Sequence, residues 1–296
     1  MTVNPSMESG KSAVYFTPDI SPNGLMSAYE ALGREPSGKV AVKLSTGEPG
    51  NPHYLAPKLI ENLVRSMNGT IVEANTAYDG GRANTQRHYQ VAKDHGFTAI
   101  APVVILDENG DIPLPVKNGA HLTEDLVGAH FEDYSFHVIL SHFKGHAMGG
   151  FGGALKNMSI GYASPRGKLL IHSAGASKSD WVPTEQDDFL ESMAEAAKAV
   201  VDAAGGERFL YINVMNHLSI DCDCDENPAA PAMSDIGILA SLDPVALDKA
   251  CLDLVYAAPD GQDLIERIES LNGAHMVRYA AAIGLGSLEY ELVSLS

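Results

Sequence analysis

Residues 40–74 read VAVKLSTGEPGNPHYLAPKLIENLVRSMNGTIVEA, and this stretch decides the fold. VAVKL (40–44) is an apolar run of strand length, and TIVEA (70–74) is another. Between them lie a polar Gly/Pro loop, STGEPGNPH, and a segment from about Tyr54 to Met67. There Leu55, Leu59, Ile60, Leu63 and Val64 recur at helical spacing, which predicts a helix with one buried face. Apolar strands separated by a helix argue for a parallel sheet covered on both faces.

The same alternation extends outward. SAVYF is a short strand near the start, and Ser21-Pro22 cap and open a helix that Gly33 can stop. Beyond TIVEA come the polar segment NTAYDGGRANTQRHY, a helix carrying Val91 and Ala92 up to Gly96, and FTAIAPVVIL (97–106) as a strand. The second half offers FHVIL (136–140), KLLIH (168–172), FLYINVM (209–215), IGILAS (236–241) and a closing LEYELVSL as strands. Its clearest helix runs from Glu185 to Ala204, with Thr184 as N-cap and Gly205-Gly206 as terminator. The expected fold is α/β, mostly parallel sheets with helices on both faces. Two closely associated α/β lobes are expected, 1–135 and 136–296.

Composition narrows the function. The 296 residues are 45% hydrophobic and 20% charged, a globular balance. Thirty-eight acidic residues against 20 basic ones give a formal net charge of -18, which repels a phosphate backbone and argues against nucleic acid as a partner. No apolar run approaches the roughly 20 residues that cross a bilayer, and the start lacks a signal-peptide pattern. Three cysteines, Cys222, Cys224 and Cys251, do not make a disulfide framework, so a cytoplasmic location is expected.

Ligands of open α/β sheets sit beyond the carboxyl ends of strands. Four polar loops follow strands here, at 45–53, 75–88, 141–157 and 216–228, and are expected to meet in one pocket. The richest is SHFKGHAMGGFGGALKNMSIGYASPRGKLLIH (141–172). His142 and His146 are four residues apart, which on a helix would chelate a metal. Gly145, Gly149 and Gly150 disfavour a helix there, and the Glu of HExxH is absent. Lys156 follows Gly152-Gly153-Ala154-Leu155 and could hold an anion or form a covalent adduct, although the GxxxxGK[ST] phosphate loop is not matched. Gly152, Gly153 and Asn157 share that turn. His172 closes an apolar segment, facing either a pocket or the core.

In DCDCDEN, Cys222 and Cys224 could ligate a soft metal, while Asp221, Asp223 and Asp225 would lie on the opposite face of a strand and suit a hard cation. A solvated acidic loop is the plainer alternative. Thr76, Arg82 and His88 could orient a carboxylate, since the guanidinium offers a planar fork.

The blocks VAVKLSTGEPGNPHYLAP, NTAYDGGRANTQRH, SHFKGHAMGGFGGALKN and DCDCDENPAAPAMSDIGILASLDPVALD resemble the signature blocks of a bacterial and archaeal domain-of-unknown-function family labelled "iron–sulfur centre protein". Many members carry a ferredoxin insert with CxxCxxC spacing after the equivalent of His172. This chain has HSAGASKSDWVPTEQDD there, without cysteine, so no ferredoxin-type [4Fe–4S] motif is present. A second, fainter resemblance is to the nickel-dependent lactate racemase family. His146, Gly150-Phe151-Gly152-Gly153, Lys156 and His172 stand in that family's order with similar separations. The resemblance implies His146 as general acid/base, Lys156 as cofactor anchor and His172 as metal ligand, with His88 nearest to a second catalytic histidine. The family's serine is missing from the glycine turn.

The combined expectation is a metal-dependent enzyme acting on a small anionic, hydroxy- or oxo-acid-like substrate by proton or hydride transfer. His146, Lys156 and His88 would be catalytic, and Arg82, Thr76, Gly152, Gly153 and Asn157 would bind substrate. His172, His142, Cys222 and Cys224 would hold nickel, zinc or iron. A homodimer fits this expectation. The rival readings are a non-catalytic metal or iron–sulfur redox protein and a simple ligand-binding module.

Overall fold

The computed structural model describes residues 10–295. The chain opens with β1 (Ser12–Thr17), α1 (Pro22–Ala31), β2 (Val40–Lys43), α2 (Pro57–Ser66) and β3 (Thr70–Glu73). Then come α3 (Thr85–Asp94), β4 (Val103–Ile105) and a hairpin of β5 (Asp111–Pro115) and β6 (Glu124–Gly128). β7 (Phe136–His142) leads into a small hairpin, β8 (Lys144–His146) and β9 (Gly150–Gly152), followed by α4 (Ala154–Tyr162), α5 (Pro165–His172) and α6 (Gln186–Ala204). The remainder is β10 (Phe209–Met215), β11 (Gly237–Ser241), α7 (Pro244–Ala257), α8 (Gln262–Ser270), α9 (Ala274–Ala282) and β12 (Tyr290–Ser294).

Eight strands make one sheet in the order β12-β1-β11-β10-β7-β2-β3-β4. Every neighbouring pair is parallel except the two that β11 makes. The sheet runs straight across residue 135: β7 pairs with β2, and β1 lies between β11 and β12. The segments 1–135 and 136–296 therefore share one sheet.

Side-chain alternation sorts the strands between two cores. Val40, Val42, Val138, Leu140, Leu210 and Ile212 join Leu25 and Ala28 of α1 and Ile60, Leu63 and Val64 of α2. Ala41, Ile139, Phe209 and Tyr211 join Leu155 and Met158 of α4, Met193 and Ala197 of α6, and Ala250 of α7. Helices thus cover both faces, and each large aliphatic side chain buried this way contributes about 1.5–3 kcal/mol.

Three expectations are corrected. KLLIH is the end of helix α5, because Ser164 caps it through a 3.1 Å bond from the Gly167 amide and Pro165 sits in its first turn. Only Val103–Ile105 of the 97–106 run is a strand, and Phe97–Ala99 is a 3-10 turn. The long helix α6 starts at Gln186 without a side-chain cap from Thr184, and Asp187 and Asp188 instead place negative charge on its first turn. No helix among the described residues is long and apolar enough to cross a membrane.

Candidate functional site

A cavity of about 430 Å³ opens at the carboxyl ends of β2, β3 and β7. Each of the four polar loops contributes to it, through Ser45, Thr76, His146 and Cys222 among others. Every predicted site residue lines this cavity except His88. His88 is fully buried behind Glu73, with Nε2 2.5 Å from Glu73 Oε2 and Nδ1 3.2 Å from Asn75 Oδ1. It holds a carboxylate in place rather than meeting a ligand.

Several lining residues are occupied by the protein itself. The Arg82 guanidinium donates to Glu48 at 2.9 Å, to Glu73 and Ser45 at 3.1 Å each, and to the Tyr78 hydroxyl at 3.2 Å. Most of the fork expected to receive a substrate carboxylate is therefore spent. Burial alone would raise the Glu73 carboxyl, but Arg82 and His88 outweigh it and hold it well below the usual range. Thr76 is tied to the same loop, donating from Oγ1 to the Tyr78 carbonyl at 3.1 Å.

His142 is likewise committed. Its Nδ1 lies 2.8 Å from Asp223 Oδ1 and its Nε2 2.6 Å from the Asn216 carbonyl, and both partners only accept. Both ring nitrogens are engaged by the protein, so His142 is not free to ligate a metal. Lys144 completes this group, donating to Asp223 Oδ2 at 2.8 Å. Burial works against the Asp223 carboxylate, yet Lys144 and His142 keep it far below its ordinary value.

The glycine turn also differs from expectation. The first amides of α4, on Ala154 and Leu155, donate to the Asp248 carboxylate of α7 at 2.8 and 2.9 Å. A Cβ on Gly153 would stand 2.4 Å from that carboxylate, so glycine is needed for the close approach. The helix N-terminus is therefore filled from within, and Gly152 and Gly153 offer no free amide cradle to a substrate. Asn157 staples α4 to the sheet, donating to the Lys43 carbonyl at 3.0 Å and to Ser141 Oγ at 3.1 Å.

What remains open is a set of nitrogens. Lys43, Lys156 and Lys168 line the cavity, and none has a carboxylate partner among the described residues. Lys43 donates to Asn157 Oδ1 and the Leu44 carbonyl, and Lys168 to the Ala163 carbonyl. Lys156 Nζ has no hydrogen-bond partner among the described residues. Burial lowers Lys43 and Lys156 to about 7 and Lys168 to about 8; neighbouring cations add to it, against the opposing charges of Glu73 at Lys43, Asp107 and Glu73 at Lys168, and Asp223 at Lys156. Burial also takes His172 down to about 3, and the Lys156 charge adds to the effect. Its ring stacks on Phe189 at 4.6 Å, and its Nδ1 is buried with no partner. His146 is pushed well below its normal value, first by burial and then by Lys156.

Lys43, Lys144, Lys168 and Asp248 were not singled out from sequence. Lys43 carried a signal, being a charge inside the apolar run VAVKL, and Asp248 is the first of two acidic residues in PVALDKACLDL.

DCDC is loop rather than strand, and its aspartates do not share a face. Asp223 points inward, Asp221 meets Arg267 at 3.3 Å, and Asp225 is exposed. Cys222 and Cys224 are joined in a disulfide, against the expectation of separate thiols, and Cys251 is free and buried. Ligand atoms of His146, Cys222 and Cys224 all lie within 4.8 Å of one another.

The model of a domain of unknown function, DUF362, matches residues 40–253. The chain belongs to the DUF362 family. No curated protein matches this DUF362 chain. Among solved structures it is similar to the lactate racemase apoprotein of Thermoanaerobacterium thermosaccharolyticum, at 16% identity and a TM-score of 0.44 over 72% of this chain and 52% of that one. It is also similar to a Thermotoga maritima protein from a structural genomics consortium, at 13% identity and a TM-score of 0.46 over 78% and 57%. The DUF362 chain thus spans just over half the length of each.

Proposed function

We propose that this protein is an enzyme for a small anionic substrate of the hydroxy- or oxo-acid kind, acting by proton or hydride transfer with a metal or metal-bearing cofactor. One observation carries the reading: Lys43, Lys156 and Lys168 line a single cavity without carboxylate partners among the described residues, in a chain of formal net charge -18. Buried ammonium groups are costly to leave uncompensated, and a carboxylate ligand offsets that cost. The anion would displace the lysines upward in proton affinity on binding, so substrate and proton uptake are linked.

The residues suit a metal-bearing group. His172 is held as neutral imidazole on an apolar seat, which is the ligating form, and its orphaned Nδ1 marks a ring kept for something other than internal hydrogen bonding. Lys156 presents an unpartnered amine that can carry a covalently attached cofactor, as the resemblance in His146, Lys156 and His172 implies. A bound metal supplies Lewis acidity, polarising the substrate oxygen and acidifying the adjacent C–H. Lys43 and Lys168 then hold the carboxylate, and His146 faces the reacting end.

Elemental analysis and intact mass of protein purified without chelator test this reading. The expected result is a stoichiometric metal lost in His172→Ala, or a mass adduct lost in Lys156→Arg. Absence of both, together with no calorimetric binding of pyruvate or lactate, would overturn it.

A further inference from the structure

His146 ends β8, and the turn that follows folds back over its own ring. The Gly149 amide nitrogen lies 2.9 Å from Nδ1 and that of Met148 3.2 Å. A backbone N–H can only donate, so Nδ1 must present its lone pair to both. Neutral imidazole carries a single proton, which must then sit on Nε2. The ring is buried among Lys156, Lys144 and Arg267, surroundings that keep it neutral. No described residue hydrogen-bonds Nε2, and the side chain lines the cavity.

The turn that sets this tautomer is itself fixed. Gly150 adopts a φ of 79°, and a Cβ there would come 3.0 Å from the Gly273 backbone and 3.2 Å from that of Ile268. The hairpin is therefore seated tightly against the α8–α9 region, and the two amides have little freedom to leave the ring.

We propose that His146 meets the substrate as a hydrogen-bond donor through Nε2–H, against a carbonyl or alkoxide oxygen, and is neither the proton-accepting base nor a metal ligand. This rests on the anionic-substrate reading only for the identity of the acceptor. It departs from the acid/base role that the lactate racemase resemblance implies. It also bears on the neighbouring sulfurs: an ion shared by His146 and a reduced Cys222–Cys224 pair would have to strip Nε2 of its proton or pull Nδ1 from both amides. A preorganised donor facing a developing oxyanion fits the chemistry, and losing one such donor typically costs about 100- to 1,000-fold in kcat.

Long-range proton–nitrogen NMR of the full chain labelled with nitrogen-15 at histidine tests this, with His146→Gln assigning the signals. The expected spectrum has a protonated Nε2 and an unprotonated Nδ1 on His146, unchanged by zinc ions. Adding pyruvate should move the Nε2 proton downfield. A protonated Nδ1, or a zinc-induced shift of Nε2, would overturn the assignment. If pyruvate perturbs none of the cavity histidines while Nε2 stays protonated, the substrate reading fails and the exclusion of His146 as base and ligand holds.

Discussion

Arg82 lies within hydrogen-bond reach of Glu48 and Glu73, and Asp223 within reach of His142 and Lys144. Lys43, Lys156 and Lys168 line the same cavity with no carboxylate partner among the described residues. Both sets meet at the same cavity and all but the part-exposed Lys156 are buried, so burial does not distinguish them. Pairing does. In the first set each charge is compensated by another element, and the set ties loops 45–53, 75–88 and 216–228 into one wall. In the second set no carboxylate among the described residues supplies it, and on the proposed reading an anionic ligand would. The lesson is that the paired groups build the wall of the cavity, and the unpaired ones are where the proposed function would reside, as functional residues often break the rules that stabilise the rest.

The largest effect should come from breaking the paired set. Asp223→Ala leaves His142 and Lys144 facing each other without their shared carboxylate, and is expected to cost about 3–5 kcal/mol in urea unfolding at neutral pH. A loss below about 1 kcal/mol would mean that the set is not a scaffold.

Acid should act through the same groups. Glu73 and Asp223 are held below their unfolded values, near 4, so their contribution is complete above that pH and is lost as pH falls through the lower folded values. Glu73→Gln should flatten the fall of stability below about pH 4. An unaltered acid limb would contradict the pairing.

The unpaired set should give the same sign of pH slope in a higher window, but from groups that cost stability when charged. Lys156 and Lys43 are lowered to about 7 against an unfolded value near 10.4, so the unfolded chain binds more protons between those limits. Stability should therefore rise with pH from about 7 to 10, and Lys156→Met should be neutral or stabilising by about 1–2 kcal/mol at pH 7 while reducing that slope. Destabilisation by Lys156→Met would put Lys156 in the scaffold.

The smallest effect concerns Asp125, fully buried with both oxygens unpartnered and raised by burial to about 8. It is protonated at neutral pH, so Asp125→Asn should change the unfolding free energy by less than about 1 kcal/mol at pH 6.

Much of the fold was legible from residues 40–74, because strand-length apolar runs separated by an amphipathic helix admit few arrangements. KLLIH was not, since three apolar residues fit strand or helix equally, and the Ser164-Pro165 cap that decides it lies upstream. The glycine stretch was recognised as a site, but its internal occupancy was hidden. Asp223, Glu73 and Asp248 reach their partners across 81, 15 and 93–94 residues, and nothing local announces such pairings. Of the groups left free, Lys156, His146 and His172 could be named beforehand and Lys43 and Lys168 were missed; which of their neighbours were already spoken for could not be read at all.

The most direct test is calorimetric titration of pyruvate into the intact protein and into Lys156→Met across about pH 6 to 9, a window that brackets the lysine values of about 7 and 8. The expected result is affinity that falls as pH rises through this window and is at least about tenfold weaker in the variant. Affinity that is flat with pH and unchanged in Lys156→Met would contradict a cavity whose free cations await an anion.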